Sequence, residues 1–536
     1  NVIIGKDAAT AATQVSYSVI VGRNAFSAAD GSENYNVVIG ESAGSAINNS
    51  DAEDNVIIGA SAGYGGTGLM KECIVIGRDA MNSTAGNAQT GTVAIGNDAL
   101  TALTTGTGNL AIGYQSMVNQ TTGGNNIAIG YQAMSGSAAE PAGTNNTFIG
   151  YQAGSGPWLD STIRENVGIG NYTLAGTLNS AQYNTAVGYK AGQDMTSGDR
   201  SVLIGYQAGK DITAGENNVC IGASSGELIT TGGNHVLIGK SAGAVIEAGQ
   251  TGTDGTVAIG HNSLQSLTSG AANTAVGYQA GVALTTGERN VVVGYSSLSQ
   301  ATTEADDNVV IGYQSMDGNW STAVVNDCVV VGNRALRGVL TADATGTVSI
   351  GKDSLAALTA GAGNVAIGYQ AMLEHTTGDR NVVIGYGAMS GSGGAPDSSD
   401  DVFIGHSAGG GDWASGNSHK NVGIGPWALG GPLEAALSNV AIGYNAGISL
   451  TTGDYNAMIG SYAGDAVTTA SGSVFFGNGA GGTVTTGNQN IAIGLDAMNV
   501  AATTGDNNIA IGASAGDAIT TTSGLVAIGY QALGAN

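Results

Sequence analysis

The chain has 536 residues, of which 91 are Gly, 5 are Pro and 3 are Cys, and its 40 acidic and 15 basic residues leave a net charge of −25. So much Gly without a strict Gly-X-Y period, and with so little Pro, excludes a collagen triple helix, while 42% hydrophobic residues exclude a chain too polar to collapse. The acidic excess opposes nucleic acid and anionic membrane as partners, no apolar run approaches the roughly 18–20 residues of a membrane-spanning helix, and Cys73, Cys220 and Cys328 are too scattered for a disulfide framework or a zinc site.

An internal repeat decides the fold class. The string Asn-Val-(Ala/Val/Ile)-Ile-Gly-x-x-Ala recurs from Gly5 to Gly529, with thirty copies of its Gly at spacings of 17 to 21 residues. The expectation is an all-β protein, a parallel β-solenoid of about 30 coils. Each coil is too small to be stable alone and depends on its neighbours.

Taken in chain order, a coil opens on Asn, four before the Gly in 19 of the 30 coils, as at Asn55, Asn126, Asn290, Asn381 and Asn508. Stacked at coil spacing, such amides form a ladder, which the pattern favours over an Asn row that holds ligand. A three-residue strand follows. Its first and last residues share one face, and the middle one points to the other. Ile, Val or Phe ends the strand in all thirty coils, and the middle residue is apolar in 27, the exceptions being Gly168, Ser349 and Gly423. A strand apolar on both faces is buried on both. One face therefore lines the solenoid and the other packs on something outside it.

Tyr stands directly after the Gly in twelve coils, and the third residue after it is Ala in 23. The fourth is either Gly (Gly44, Gly154, Gly209) or a larger apolar residue (Leu100, Met117, Leu336). An apolar residue seven after the Gly, such as Leu103, Met195, Ile212, Leu284 or Leu450, predicts a second short strand. Thr-Thr-Gly, as at Thr104-Thr105-Gly106, then predicts a turn.

A longer period overlies the short one. Cys73 and Cys328, and likewise Trp158 and Trp413, stand 255 residues apart, and the coil spacings after Gly96 repeat after Gly351. A tandem duplication is expected, with a first fourteen-coil block over 1–259, a second over 260–511 and the start of a further block over 512–536. The chain opens in mid-pattern on Asn1-Val2-Ile3-Ile4-Gly5, so a piece of a longer polypeptide is expected.

Signals for chemistry are weak. The Gly-x-Gly-x-x-Gly strings at Gly63 to Gly68 and Gly477 to Gly482 adjoin no helix pattern that could cradle a phosphate. The five His are dispersed, and carboxylates such as Glu304, Asp306 and Asp307 read as solvated corners, with loose cation binding as the alternative. No catalytic residue, cofactor or metal site is expected. Candidate surface contacts are Tyr114, Tyr131, Tyr151, Tyr278, Tyr295 and Tyr313, which form either a stacked aromatic ladder or a row of platforms for sugar rings. Trp158, Trp320 and Trp413 each fall eight after their Gly in a coil of 20, where they either anchor a partner or plug their own loop. The extended loops Ser135–Thr144, Ser155–Glu165, Ser390–Asp401 and Gly409–Lys420 are where a solenoid tends to carry binding.

The repeat resembles the head repeat of trimeric autotransporter adhesins (YadA-like heads), and similar repeats recur in phage tail fibres. It stands here as Asn109-Leu110-Ala111-Ile112-Gly113-Tyr114-Gln115-Ser116 and Asn364-Val365-Ala366-Ile367-Gly368-Tyr369-Gln370-Ala371, in coils longer than those usual in adhesin heads. The resemblance implies left-handed β-rolls associating side by side as a homotrimer. It places the residue two before Gly, including Val310, Val330, Ala366 and Val383, against the sister chains. The expected function is a structural extracellular fibre for reach and attachment, without catalysis, whose partners are itself and a host-cell-surface glycan or protein. The alternative is a single-chain solenoid assembling end to end into a filament or surface layer. An acyltransferase of the hexapeptide left-handed-helix kind is disfavoured, because the motif occupies only one side of each coil.

Overall fold

The computed structural model describes residues 1–66, 68–84, 86–136, 143–160, 162–246, 254–301, 305–320, 325–341, 343–391, 398–413 and 417–534. Two compact units make up the chain, Asn1–Ala271 and Ala272–Asn536. Each is an all-parallel β-solenoid. Among the described residues, fifteen three-residue strands run from Val2–Ile4 to Val257–Ile259 in the first, and fifteen from Thr274–Val276 to Val526–Ile528 in the second. No helix occurs among the described residues.

Neighbouring strands pair in register, like position on like position. Leu110, Ala111 and Ile112 lie against Ile127, Ala128 and Ile129, and Val310 lies between Val292 and Val330. Hydrogen bonding continues past both strand ends. The Leu110 N–H donates to the Asn126 carbonyl at 2.8 Å, and the Gly113 N–H donates to the Ile95 carbonyl at 2.8 Å. The column of coil Gly is thus part of the ladder, and consecutive Gly backbones touch.

The interior is the face that holds the middle residue of each strand. Val310, Val330, Ala366 and Val383 are all 0% exposed within the single chain. The expectation that they meet sister chains is therefore corrected: they are solenoid core. The outward rows are the first and last strand residues, exemplified by Ile39, Ile169 and Ile311 at 37–39% exposed. The turn after the Gly decides which side is inside. It curls back under the middle residue and brings Ala99, Leu100 and Leu103 into the same core as Ala94.

That curl also removes most of the predicted second strand. The second and fourth residues after the Gly have left-handed backbones, as at Gln115 (φ 53°) and Met117 (φ 52°). Alternating left-handed residues make a run of turns instead of an extended segment. Among the described residues, regular pairing on this side is limited to Met70–Lys71 with Gln89–Thr90 and to isolated parallel bridges such as Trp158 with Leu178 and Val484 with Thr503. The seventh-position residues are nonetheless core: Leu103, Met195, Ile212, Leu284 and Leu450 are at most 1% exposed.

Close packing accounts for the choice between Gly and a large residue at the fourth position. Where the strand centre is Phe148, Leu203 or Phe403, the fourth residue is Gly154, Gly209 or Gly409. Where it is Ala111, Gly168 or Ser349, the fourth residue is Met117, Leu174 or Leu355. A Cβ on Gly154 would stand 2.8 Å from the Phe148 ring, so the two positions share one volume. Gly154→Met should therefore destabilise by about 1–3 kcal/mol through overpacking, and Phe148→Ala by about 3–5 kcal/mol through a cavity. The double variant, which copies the natural Ala128 and Met134 pair, is expected to cost less than the sum by at least about 1 kcal/mol in denaturant melts. Strict additivity would show that the positions do not share space.

Candidate functional site: the outward sheet face

The first and last strand residues form two apolar columns on the outside of each unit. Val291, Val474, Ile204, Ile311, Ile442 and Ile511 are each 36–39% exposed, and Phe476 is 55% exposed. No charged residue interrupts either column, although the chain carries a net charge of −25. At about 4.8 Å per strand and about 3.3 Å per residue, fifteen strands present roughly 700 Å² per unit. That is close to the approximately 800 Å² per partner of a standard protein interface and larger than the patches monomers usually expose.

The Tyr residues that follow the coil Gly stack along the coils. Tyr114, Tyr131 and Tyr151 have centroids 5.2 and 5.1 Å apart, and Tyr278, Tyr295 and Tyr313 have centroids 4.9 and 5.4 Å apart. Interplanar angles of 6–15° make these parallel stacks. Both faces of Tyr131 and Tyr295 are taken by neighbouring rings. The geometry is that of a ladder, and a sugar ring would find only edges and end faces there. A Gln ladder that the sequence reading missed runs beside it, with Gln132 Nε2 donating to Gln115 Oε1 at 2.9 Å and Gln152 Nε2 to Gln132 Oε1 at 2.8 Å.

The three Trp are plugs, and their candidacy as exposed partner anchors is corrected. Trp158, Trp320 and Trp413 are 0–1% exposed. Trp158 packs edge-on against Phe148 at 5.7 Å, and its indole N–H donates to the Gly154 carbonyl at 3.0 Å. Trp413 packs in the same way on Phe403 at 5.6 Å. Each ring extends the core under a longer coil, where three-residue strands leave space to fill. Parts of the expected binding loops (137–142, 161, 392–397 and 414–416) and Glu304 lie outside the described residues.

The Asn ladder is present. Asn109 Oδ1 accepts the Asn126 N–H at 3.0 Å, Asn126 Oδ1 accepts the Asn146 N–H at 2.9 Å, and the Asn126 side-chain amide donates to the Gly143 carbonyl at 2.9 Å. Each amide therefore joins two coils and closes a turn. Cys73, Cys328, His235 and Asp401 take the Asn place in four coils. Burial pushes the Cys328 thiol up to about 11 and the Cys220 thiol up to about 12, which leaves both unreactive. Burial lowers the His235 imidazole to about 4.

Asp401 is the informative interruption. Its Oδ1 accepts the Asn421 N–H at 2.7 Å, while its buried Oδ2 has no hydrogen-bond partner. Burial raises this carboxyl to about 8 from the usual 3.8. The folded chain thus holds a proton that the unfolded chain releases, and stability falls as pH rises from about 4 through about 8. The residue 255 positions earlier is Asn146. Asp401→Asn is expected to stabilise by about 1–3 kcal/mol at pH 8 and to have little effect near pH 4, as read from melts of both proteins across pH. An equal difference at both pH values would refute a proton-linked origin.

Corner acids do more than face solvent. Asp199 Oδ1 accepts the Gln182 N–H at 2.7 Å, Asp306 Oδ1 the Glu288 N–H at 2.8 Å, and Asp454 Oδ1 the Leu437 N–H at 2.8 Å. Each caps an amide of the preceding coil, which a pattern read one coil at a time does not reveal. Among the described residues no group of three or more His, Cys, Asp or Glu is arranged to hold a metal ion. No described helix is long and apolar enough to cross a membrane.

No protein-family model matches the chain, and neither does a curated protein or a solved structure. What the fold defines is a class: a repeat-built, all-parallel β-solenoid, the architecture of structural and fibrous proteins in general, consistent with a scaffolding role.

Proposed function

We propose that this chain is a shaft or head segment of an extracellular fibre, built for reach and attachment, in which three copies associate side by side through the outward Val/Ile face. The observation that carries the reading is that face: two columns per unit, Val or Ile in almost every coil and free of charged residues, on a chain of net charge −25. Water contact at this face is costly, and another copy offers a flat apolar surface of matching repeat. The acidic remainder keeps the assembly from clumping further. The resemblance of the repeat to YadA-like heads and tail-fibre repeats supports the same reading.

The test is the mass in solution. Sedimentation should give three times the chain mass of 52.6 kDa. A single-chain species at micromolar concentration would overturn side-by-side association, and a continuous ladder of sizes would favour end-to-end assembly instead.

A further inference from the structure

In the second unit a groove of about 400 Å³ runs along the coil corners, lined by Arg380, Asp400, His419, Lys420, Leu437 and Tyr455 among others. Its regularity comes from the backbone. Arg380, Asp400, Lys420, Ser438 and Tyr455 occupy the same place in five successive coils, each just before the ladder residue and each with φ between 57° and 63°. Left-handed residues stacked at about 4.8 Å project their side chains in parallel.

The groove lining carries two cations and one carboxylate, with Asp379 and Asp454 bonded to lining residues from just outside it. Arg380 grips Asp400 through Nε to Oδ1 at 2.8 Å and an Nη to Oδ2 at 3.2 Å, and the guanidinium holds that carboxyl below its usual range. Lys420 forms no ion pair among the described residues, whereas Arg380 also meets Asp379 at 3.6 Å. His419 Nδ1 accepts the Ser399 N–H at 3.0 Å, so the neutral ring carries its proton on Nε2 as a donor. Leu437 gives an apolar wall. Tyr455 is 67% exposed and, unlike Tyr131 or Tyr295, makes no ring stack among the described residues, so its face is open.

We infer that this groove binds a saccharide bearing a carboxylate: Lys420 and the His419 N–H take the carboxylate, the Arg380–Asp400 pair and Ser438 take hydroxyls, and the Tyr455 ring packs on the C–H face of a sugar. A carbohydrate fits better than a bare anion because an open aromatic face and an apolar wall flank the cation. The related corner 255 residues earlier supplies an internal control. There Glu165 stands in place of Lys420, Arg200 in place of Tyr455 is paired with Glu216 at 2.7 Å, and Arg164 covers the Tyr183 ring at 5.8 Å. That corner has a carboxylate where Lys420 stands, its Arg164 donates to Gln182 Oε1 at 3.0 Å, and its one ring is covered on one side.

The inference concerns the single chain and is independent of copies associating, so it and the fibre reading fail separately. Saturation-transfer NMR and calorimetry on the full chain would use trigalacturonate and a methyl sialoside, the two sources of this chemistry, with galactotriose as the neutral counterpart and inorganic phosphate as the bare anion. At least one carboxylate sugar should bind, with galactotriose and phosphate at least tenfold weaker. Lys420→Glu, which installs the residue of the related corner, should weaken binding at least tenfold, and Tyr455→Ala at least threefold, with unchanged melting. Arg289→Gln, at another corner, should leave binding unchanged. Absence of binding by either carboxylate sugar, equal binding of phosphate, or binding unaffected by Lys420→Glu would overturn it.

Discussion

Replacing Gly113 by alanine should break the solenoid at that coil. Gly113 has φ 134°, a backbone region that L side chains rarely adopt, and a Cβ there would clash with the carbonyl of Gly130 in the next coil. Backbone strain alone costs about 1–3 kcal/mol. The clash adds to it, because the neighbour is another coil Gly, held by its N–H to the Ile112 carbonyl at 2.8 Å and by its carbonyl to the Ala133 N–H of its own turn. A total of about 3 kcal/mol or more is expected, concentrated in the adjoining coils because a solenoid is coupled only through nearest neighbours. Hydrogen exchange should quicken around residues 96–130 while distant coils keep their protection. Gly91→Ala is the control: Gly91 also has positive φ (61°), yet nothing lies within 4 Å of its absent Cβ. It should cost only the strain of a left-handed alanine, about 1–2 kcal/mol. Equal effects at the two positions would show that coil-to-coil contact of the Gly column is not what excludes side chains.

Aspartate at two adjacent residues should give opposite phenotypes. Val310 is 0% exposed and Ile311 is 38% exposed, so one strand carries both the inner and the outer face. Val310→Asp buries an unpaired carboxylate in the core, at a cost of about 3–5 kcal/mol, and should lower the melting midpoint and expose the coils around Val292 and Val330. Ile311→Asp places its charge in water on the outward column. It should leave the isolated fold intact and reduce the sedimenting species to one chain of 52.6 kDa. If Val310→Asp dissociated a well-folded assembly while Ile311→Asp did nothing, the inside and outside of the strand would have to be exchanged. If neither changed the mass of an associated species, the outward face would not be the interface.

That pair also shows where the sequence pattern stops being legible. All three strand positions are apolar, and a period of two states only that the outer two differ from the middle one. The resemblance to adhesin heads led to the middle residue being placed outside, and the structure places it inside. A clue lay in the composition. The outer columns are almost uniformly Val and Ile, whereas the middle position ranges over Gly, Ser, Ala, Cys, Val, Ile, Leu, Met and Phe. A uniform column suits a flat surface. A varied one suits a core in which each coil fills its own volume, as Phe148 with Gly154 and Gly168 with Leu174 do.

The Trp residues follow the same logic. Their position in longer coils left anchor and plug equally open, because spacing fixes where a side chain leaves the backbone and not how deep the space beneath it is. Trp158 fills such a space beside Phe148. The capping role of the corner acids escapes the pattern for a related reason: the amide that Asp199 caps belongs to Gln182, in the preceding coil.

By itself the sequence determined the period, the parallel in-register stacking, the Asn ladder at Asn109, Asn126 and Asn146 and the stacked Tyr column, because each follows from one residue type recurring at one interval and meeting its own copies. The tertiary structure alone decided which strand face is interior, that the far side of the coil is a run of left-handed turns, that the Trp are buried, and that Lys420 and Tyr455 open onto a common groove. The physical reason is the turn after each Gly. Its alternating left-handed residues, Gln115 and Met117 in one coil, set the direction in which the chain curls, and that direction converts a two-sided apolar strand into one core and one outer face.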